Sequence, residues 1–425
     1  MKFRSGAIVA IVSATLIGSL AGAASGNTLT VWTFLKPNGK EGREVAFHNL
    51  ITAYEKKHPD TKIRVEPQVW SELTQKFVLG SNLGKAPDIV FTHGNHLQLL
   101  AESGAAADLD KALVDKWSPE VAKDFLYDGL LKKARIGGKL LGVPVFPFAT
   151  VLYYRKDLLK AAGQPPDALD TWSGLVHALK SVETDTVAGM TIPLSPEKPT
   201  QTPLLTYMLD EQGTIFSNTC KPEFATEAGI KGMKLQVSLF GKDGIASKED
   251  ISRTLDDSWD VFLSGRAAAI MNASTRAGEV AKNASWDASG LGIAPLPGIE
   301  KGKPGPSVAN AWYITVWNKS PNKAEAVDFV NFLVGTEGAR AWTLIGKQPA
   351  LRRSVLDAPE MAKPEYSLLR EVGTAIAAST ADLPAECRPD RVYSDLNEAT
   401  QAVLVNGQSP ESALKAAEAR AAARN

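Results

Sequence analysis

Apolar and polar residues alternate through Leu29-Thr-Val-Trp-Thr-Phe34, the period of a half-buried strand. The period then changes, with Val45, Leu50, Ile51 and Tyr54 at helical spacing between Glu44 and Lys57. His58-Pro59-Asp60 stops that helix. Lys62 to Val65 is strand-like again, so the segment predicts a β-α-β unit with parallel strands. Ser71 to Leu83 predicts a second helix ending at Gly84, and Ala86 to Phe91 a third strand. His93 to His96 is its exit loop, and Leu97 to Ser103 a further helix. This order is that of a doubly wound α/β sheet, in which ligands sit beyond the carboxyl ends of the strands. That rule singles out Trp32 to Lys36, Gln68 to Trp70 and Thr92 to His96.

The pattern is interrupted between Gly138 and Gly163, where an apolar run contains Pro144 and Pro147. Proline donates nothing to a sheet ladder, so this run predicts two half-strands joined by a crossing between domains. Phe146 to Thr150 would be a hinge, and a hinge between domains borders a ligand cleft. Thr171 is placed to cap a helix, and Leu204 to Gln212 and Ala225 to Leu239 are helical around a turn at Gly213 to Phe224. Gly265 to Met271, Leu291 to Ala294 and Asn310 to Trp317 predict later strands. Lys323 to Leu333 and the Ala-rich tail from Val392 predict helices.

Composition adds exclusions. With 47 basic and 47 acidic residues in 425, no overall field attracts nucleic acid. Lys2 and Arg4 before the apolar run Ala7 to Leu20, then Ala21-Gly22-Ala23, have the pattern of a signal peptide over residues 1–24. No cysteine near that cut offers a lipid anchor, so the expected location is the periplasm. Cys220 and Cys387 are either two free thiols or one bridge, and spacing leaves the choice open. Serine-hydrolase, P-loop and dinucleotide signatures are missing, and five histidines without H-E-x-x-H offer poor support for a metal site.

Several blocks in fixed order carry a family resemblance: LTVWTF, YEKKHPDTKIRVE, APDIVFTHGNHLQLLAESG, GKLLGVPVFPFATVLYYRKDLLKAAG, FLSGRAAAIMNAS, GIAPLPG and NAWYITVWNKSPNKAEAVDFVNFL. In these the chain resembles the family-1 extracellular solute-binding proteins that serve ABC importers. The resemblance implies a two-lobed α/β fold, each lobe a mostly parallel doubly wound sheet, and crossings at 146–150, 269–273 and 311–316. It assigns residues 27–147 and 274–312 to one lobe and 148–270 and 317–425 to the other. It further implies a monomer with a small-molecule sugar as ligand, a membrane permease as partner, and neither cofactor nor catalysis. A glycerophosphate-binding branch shares the blocks, so an anionic ligand is the alternative, and a secreted glycosidase is a more distant one. Asn95 and Phe148 stand where the maltose-binding member carries acidic residues, which argues against maltose itself.

A sugar site needs aromatic platforms for C–H faces and short polar groups for hydroxyls. Trp32, Phe34, Trp70, Phe148, Trp259 and Trp312 are candidate platforms, each weighed against core packing. His93, Asn95, Asn272, Ser274, Arg276 and Asn310 are candidates for the polar rim. Arg352, in a segment that approaches the cleft in the family, is a candidate holder of a hydroxyl, carboxylate or phosphate.

Overall fold

The computed structural model describes residues 27–424 apart from 198, 378–380, 382, 384–386 and 388, so the expected signal segment 1–24 lies outside the described residues. Among the described residues ten strands occur in order: β1 (Asn27–Thr33), β2 (Thr61–Pro67), β3 (Ile89–His93), β4 (Arg135–Ile136), β5 (Lys139–Leu140), β6 (Val143–Phe148), β7 (Thr150–Arg155), β8 (Ala269–Ala273), β9 (Leu291–Ala294) and β10 (Asn310–Val316). They form a five-stranded sheet ordered β2-β1-β3-β10-β6, a three-stranded sheet ordered β8-β7-β9, and the hairpin β4-β5. In the larger sheet β1 pairs in parallel with β2 and β3, as the β-α-β reading requires, whereas β10 runs antiparallel between β3 and β6. The smaller sheet is antiparallel on both sides of β7. Parallel bridges from Ala188 to Ala267 and Thr191 to Ile270 widen it.

The two prolines of the interrupted run fall in β6, the edge strand of the larger sheet. An edge strand needs donors on one side only, which is why the ladder tolerates them. One residue, Ala149, separates β6 from β7, and the two strands belong to different sheets. The crossing expected at 146–150 is therefore where the chain leaves the first sheet.

The other two expected crossings are corrected. Ala269–Ala273 is β8, paired to β7 along its length, and 311–316 lies inside β10 in the interior of the larger sheet. The chain instead returns near Val308 to Asn310, since Val308 packs among the tail helices while Asn310 opens β10. It leaves again over 357–366, between Val355 in the first core and Val372 in the second.

Packing reassigns two segments accordingly. Residues 274–294 were expected on the first lobe, but Ala277, Val280, Leu291 and Ile293 share a core with Tyr153 of β7. The stretch 317–355 was expected on the second lobe. Helix Lys323–Val334 instead buries Phe329, Val330 and Leu333 in the core of the larger sheet, and Trp342 packs against Phe47 and Phe146 at 5.8 and 4.9 Å. Every residue of β10 is buried, so its sequence carries no alternation to show which sheet it enters.

Local signals hold elsewhere. Thr171 Oγ1 accepts the Gly174 N–H at 3.2 Å, capping helix Trp172–Lys180. The turn after Gly213 closes with an antiparallel bridge between Phe216 and Pro222. Helices Pro389–Asn406 and Pro410–Arg424 pack Leu396 and Leu414 against Leu209 and Met233. Cys220 and Cys387 are joined in a disulfide, across a Cα separation of 4.9 Å and 167 residues of sequence. It ties the 213–224 turn to the approach of the tail helices.

A bridge closing so long a loop restricts the unfolded chain, and losing one costs about 2–5 kcal/mol. Reduction, or the double substitution Cys220→Ala/Cys387→Ala, is expected to lower unfolding free energy by that amount in urea titrations. Coincident curves for oxidised and reduced protein would contradict it.

Candidate functional site

The carboxyl end of the larger sheet gathers the aromatic candidates because of strand register. On β10, Trp312 lies opposite His93 of β3, and Asn310 lies opposite Phe148 of β6. Phe34, just beyond β1, packs on Trp312 at 4.4 Å between ring centres, His93 meets it edge-on at 5.2 Å, and half-buried Trp70 approaches it at 6.4 Å. Phe148 lies 5.5 Å from His93.

Polar groups are threaded through this cluster. Asn310 Nδ2 donates to Asn95 Oδ1 at 2.6 Å, while its Oδ1 accepts the Ala311 N–H at 2.8 Å. A Cβ on Gly94 would stand 1.8 Å from Asn310 Oδ1, so any larger residue there would have to push the Asn310 carboxamide out of its hydrogen bonds. His93 Nδ1 accepts the Asn95 N–H at 3.3 Å, an arrangement that puts the ring proton on Nε2. Burial among the rings, with the charges of His96 and Lys133 added, lowers the His93 pKa to about 3, so the imidazole is neutral at pH 7.

The exit loop of β1 is held by a residue the sequence reading did not single out. Buried Glu44 accepts the Lys36 N–H at 3.2 Å and the Glu41 N–H at 3.1 Å, and a Cβ on Gly39 would collide with its carboxylate. Glu41-x-x-Glu44 at a helix start is capping-box spacing, the signal that could have shown it. Trp32 turns elsewhere, donating from its indole to Glu66 Oε2 at 2.8 Å on the paired strand β2.

Across the crossing, Ser274 is tied to Ala149. Its Oγ accepts the Ala149 N–H at 3.4 Å, and its own N–H donates to the Ala149 carbonyl at 2.9 Å. Asn272, fully buried, accepts the Ala273 N–H at 2.7 Å, and its Nδ2 has no hydrogen-bond partner among the described residues. Arg276 is ion-paired with Asp256 and lies 5.6 Å from the ring of Trp259. Trp259 is 2% exposed, packs on Tyr153 and Phe262, and donates to Glu279 Oε2 at 3.0 Å. It belongs to the second core rather than to an open platform. Burial raises the Glu279 pKa against the pull of Arg276 and Arg43.

Arg352 is a correction. Its side chain is 1% exposed, donates to the carbonyls of Val334 and Val121 at 2.9 and 2.8 Å, and packs over Trp117 and Phe125. Asp124 stands 3.8 Å away, and burial lowers the guanidinium pKa. These contacts anchor a loop inside the first core and share no residue with the aromatic cluster. The fold therefore brings together the candidates Phe34, Trp70, His93, Asn95 and Phe148 over the buried Asn310 and Trp312, with Asn272 and Ser274 at the crossing. Trp32, Trp259 and Arg276 flank this group.

The model for bacterial extracellular solute-binding proteins matches residues 38–340. The chain belongs to that family. Among relatives of this solute-binding protein, the arabinooligosaccharide-binding protein of Bacillus subtilis is 22% identical over 390 residues, covering 89% of this chain and 86% of its own. A probable amino-acid ABC transporter periplasmic-binding protein of Sinorhizobium fredii, y4oP, is 24% identical over 349 residues, 81% and 78% of the two chains. Among solved structures, the GacH receptor of Streptomyces glaucescens, determined unliganded and with acarbose, superposes with a TM-score of 0.77 at 22% identity. That match covers 93% of this chain and 97% of that one, and it shows the shared two-lobed fold.

Neutral His93 makes the solute-binding protein sensitive to acid in a defined direction. The unfolded chain protonates this histidine near 6.5 and the folded one near 3. The unfolded state thus binds more protons between those values, and the group's contribution to stability, complete above pH 6.5, is lost as pH falls toward 3. His93→Gln removes that component, so the stability lost between pH 7 and pH 4 is expected to shrink in urea titrations. An unchanged loss would contradict the assignment.

Proposed function

We propose that this protein is an extracytoplasmic receptor that binds a neutral mono- or oligosaccharide between its two lobes and delivers it to an ABC importer. The observation that carries the reading is the wall of Trp70, Trp312, Phe34 and Phe148 around a neutral histidine and two asparagines. Rings of this kind bind the C–H faces of a sugar, while His93 Nε2–H and carboxamides exchange hydrogen bonds with its hydroxyls. The names of an arabinooligosaccharide binder and of a receptor crystallised with acarbose support the same ligand class.

Charge bears on the alternative. Arg276 already has a carboxylate partner in Asp256, and Arg352 is committed to two carbonyls and Asp124 inside the core. A phosphate held by either arginine would have to displace its pairing, whereas hydroxyls would not, and Lys133 beside His93 is engaged with the Ala309 carbonyl. A neutral sugar is therefore favoured over a glycerophosphate. The protein acts as a monomer in the periplasm, after loss of residues 1–24, and releases its sugar unaltered. A sugar touching both lobes only when they close drives closure about 148–150, 308–310 and 357–366 by its differential affinity. The membrane permease then meets the closed form.

Calorimetric titration with arabino-, galacto- and malto-oligosaccharides, their monosaccharides and glycerol 3-phosphate tests the reading, with product analysis for hydrolysis. Binding of at least one neutral sugar without cleavage is expected. Trp70→Ala should weaken that binding by about 2 kcal/mol while unfolding stays cooperative. Binding of glycerol 3-phosphate alone, or glycoside cleavage, would overturn the neutral-receptor reading.

A further inference from the structure

Two charged side chains outside the aromatic wall join the lobes directly. Arg43, in the first turn of helix Gly42–Lys57, reaches Glu279 of helix Ala277–Asn283, with Nη2 and Oε1 3.2 Å apart. The first helix buries Ala46 and Phe47 in the core of the larger sheet, and the second buries Ala277 and Val280 in that of the smaller. We propose that Arg43 and Glu279 are a closure latch, positioning residues that set how much of the receptor is closed and so how firmly it holds its ligand. The proposal rests on the receptor reading of the cleft.

The pair is built unlike an ordinary surface ion pair. The two side chains are only 15% and 20% exposed, so solvent and salt screen them less. Both ends are held. Glu41 lies 3.2 Å from Arg43 Nη2, the guanidinium lies 5.7 Å from the Phe34 ring, and the Trp259 indole donates to the other carboxylate oxygen of Glu279. Helix stability does not explain Arg43, because a cation in the first turn opposes the helix dipole. The same short helix makes a second contact across the gap, from Lys282 Nζ to the Lys40 carbonyl at 2.9 Å.

The contacts run without a break into the ligand wall: Glu279 to Arg43, Arg43 to Phe34, and Phe34 to Trp312. An interaction made only when the lobes meet biases the open–closed equilibrium by its own free energy. Apparent affinity then follows the closed fraction. A single ion pair suits this role, because a much stronger contact would hold the empty receptor shut against its ligand.

Small-angle scattering on the ligand-free, disulfide-intact protein tests the latch without any sugar. Arg43→Met keeps an apolar stem over Phe34, and Glu279→Gln keeps an acceptor for Trp259, so both should melt cooperatively. Each is expected to increase the radius of gyration, the double variant no further than either single one. Glu337→Gln, which removes the partner of Lys57 within the first lobe, should leave the radius unaltered. Unchanged radii in both single variants, or shifts that add in the double one, would overturn the latch. A sugar panel without binding would remove the receptor reading and leave this scattering result standing.

Discussion

The antiparallel insertion of β10 between β3 and β6 is the constraint on which the rest depends. It sets Trp312 beside His93 and Asn310 beside Phe148, and so builds the aromatic wall from three strands distant in sequence. It also leaves β6 at the sheet edge, the position that tolerates Pro144 and Pro147. From that edge the chain passes through Ala149 into β7 and the second sheet. Wall and crossing are thus adjoining, since Ala149 directly follows Phe148 and is hydrogen-bonded to Ser274 of the second lobe.

Electrostatics at the wall follow from its packing. Rings surrounding His93 disfavour its charged form, and the Asn95 N–H fixes which nitrogen carries the proton. Among the charged residues nearby, Arg276 pairs with Asp256 and Arg43 with Glu279, while Lys133 donates to the Ala309 carbonyl. A surface of this kind gains from apolar C–H faces and hydroxyls more than from a net charge. Its ion pairs remain available to act between the lobes.

Much of the fold was legible in the sequence, because local signals act locally. The alternation of β1, the helical spacing of 45–54, the Thr171 cap and the two prolines of β6 each depend on a few neighbouring residues. The sheet rule likewise pointed to the carboxyl ends of strands, where Phe34, Trp70, His93 and Asn95 lie close together. What failed was long-range assignment. β8 is buried at four of its five residues and β10 at all seven, so no alternation distinguishes a strand inside a sheet from a segment crossing between lobes. Arg352 misled for a related reason: a buried guanidinium satisfied by carbonyls has no sequence pattern separating it from one that meets a ligand. Arg43 and Glu279 were missed because their relation is purely spatial.

In the proposed function a neutral sugar seats on the wall set by β3, β10 and β6 and closes the lobes about the Ala149 crossing. Hydrogen–deuterium exchange, comparing the free protein with the protein saturated by whichever neutral oligosaccharide binds, addresses it most directly. Slowed exchange is expected at 92–96, 148–150 and 309–311, with little change at 349–356 around Arg352. Protection confined to 349–356, or no protection at the β6–β7 crossing, would contradict it.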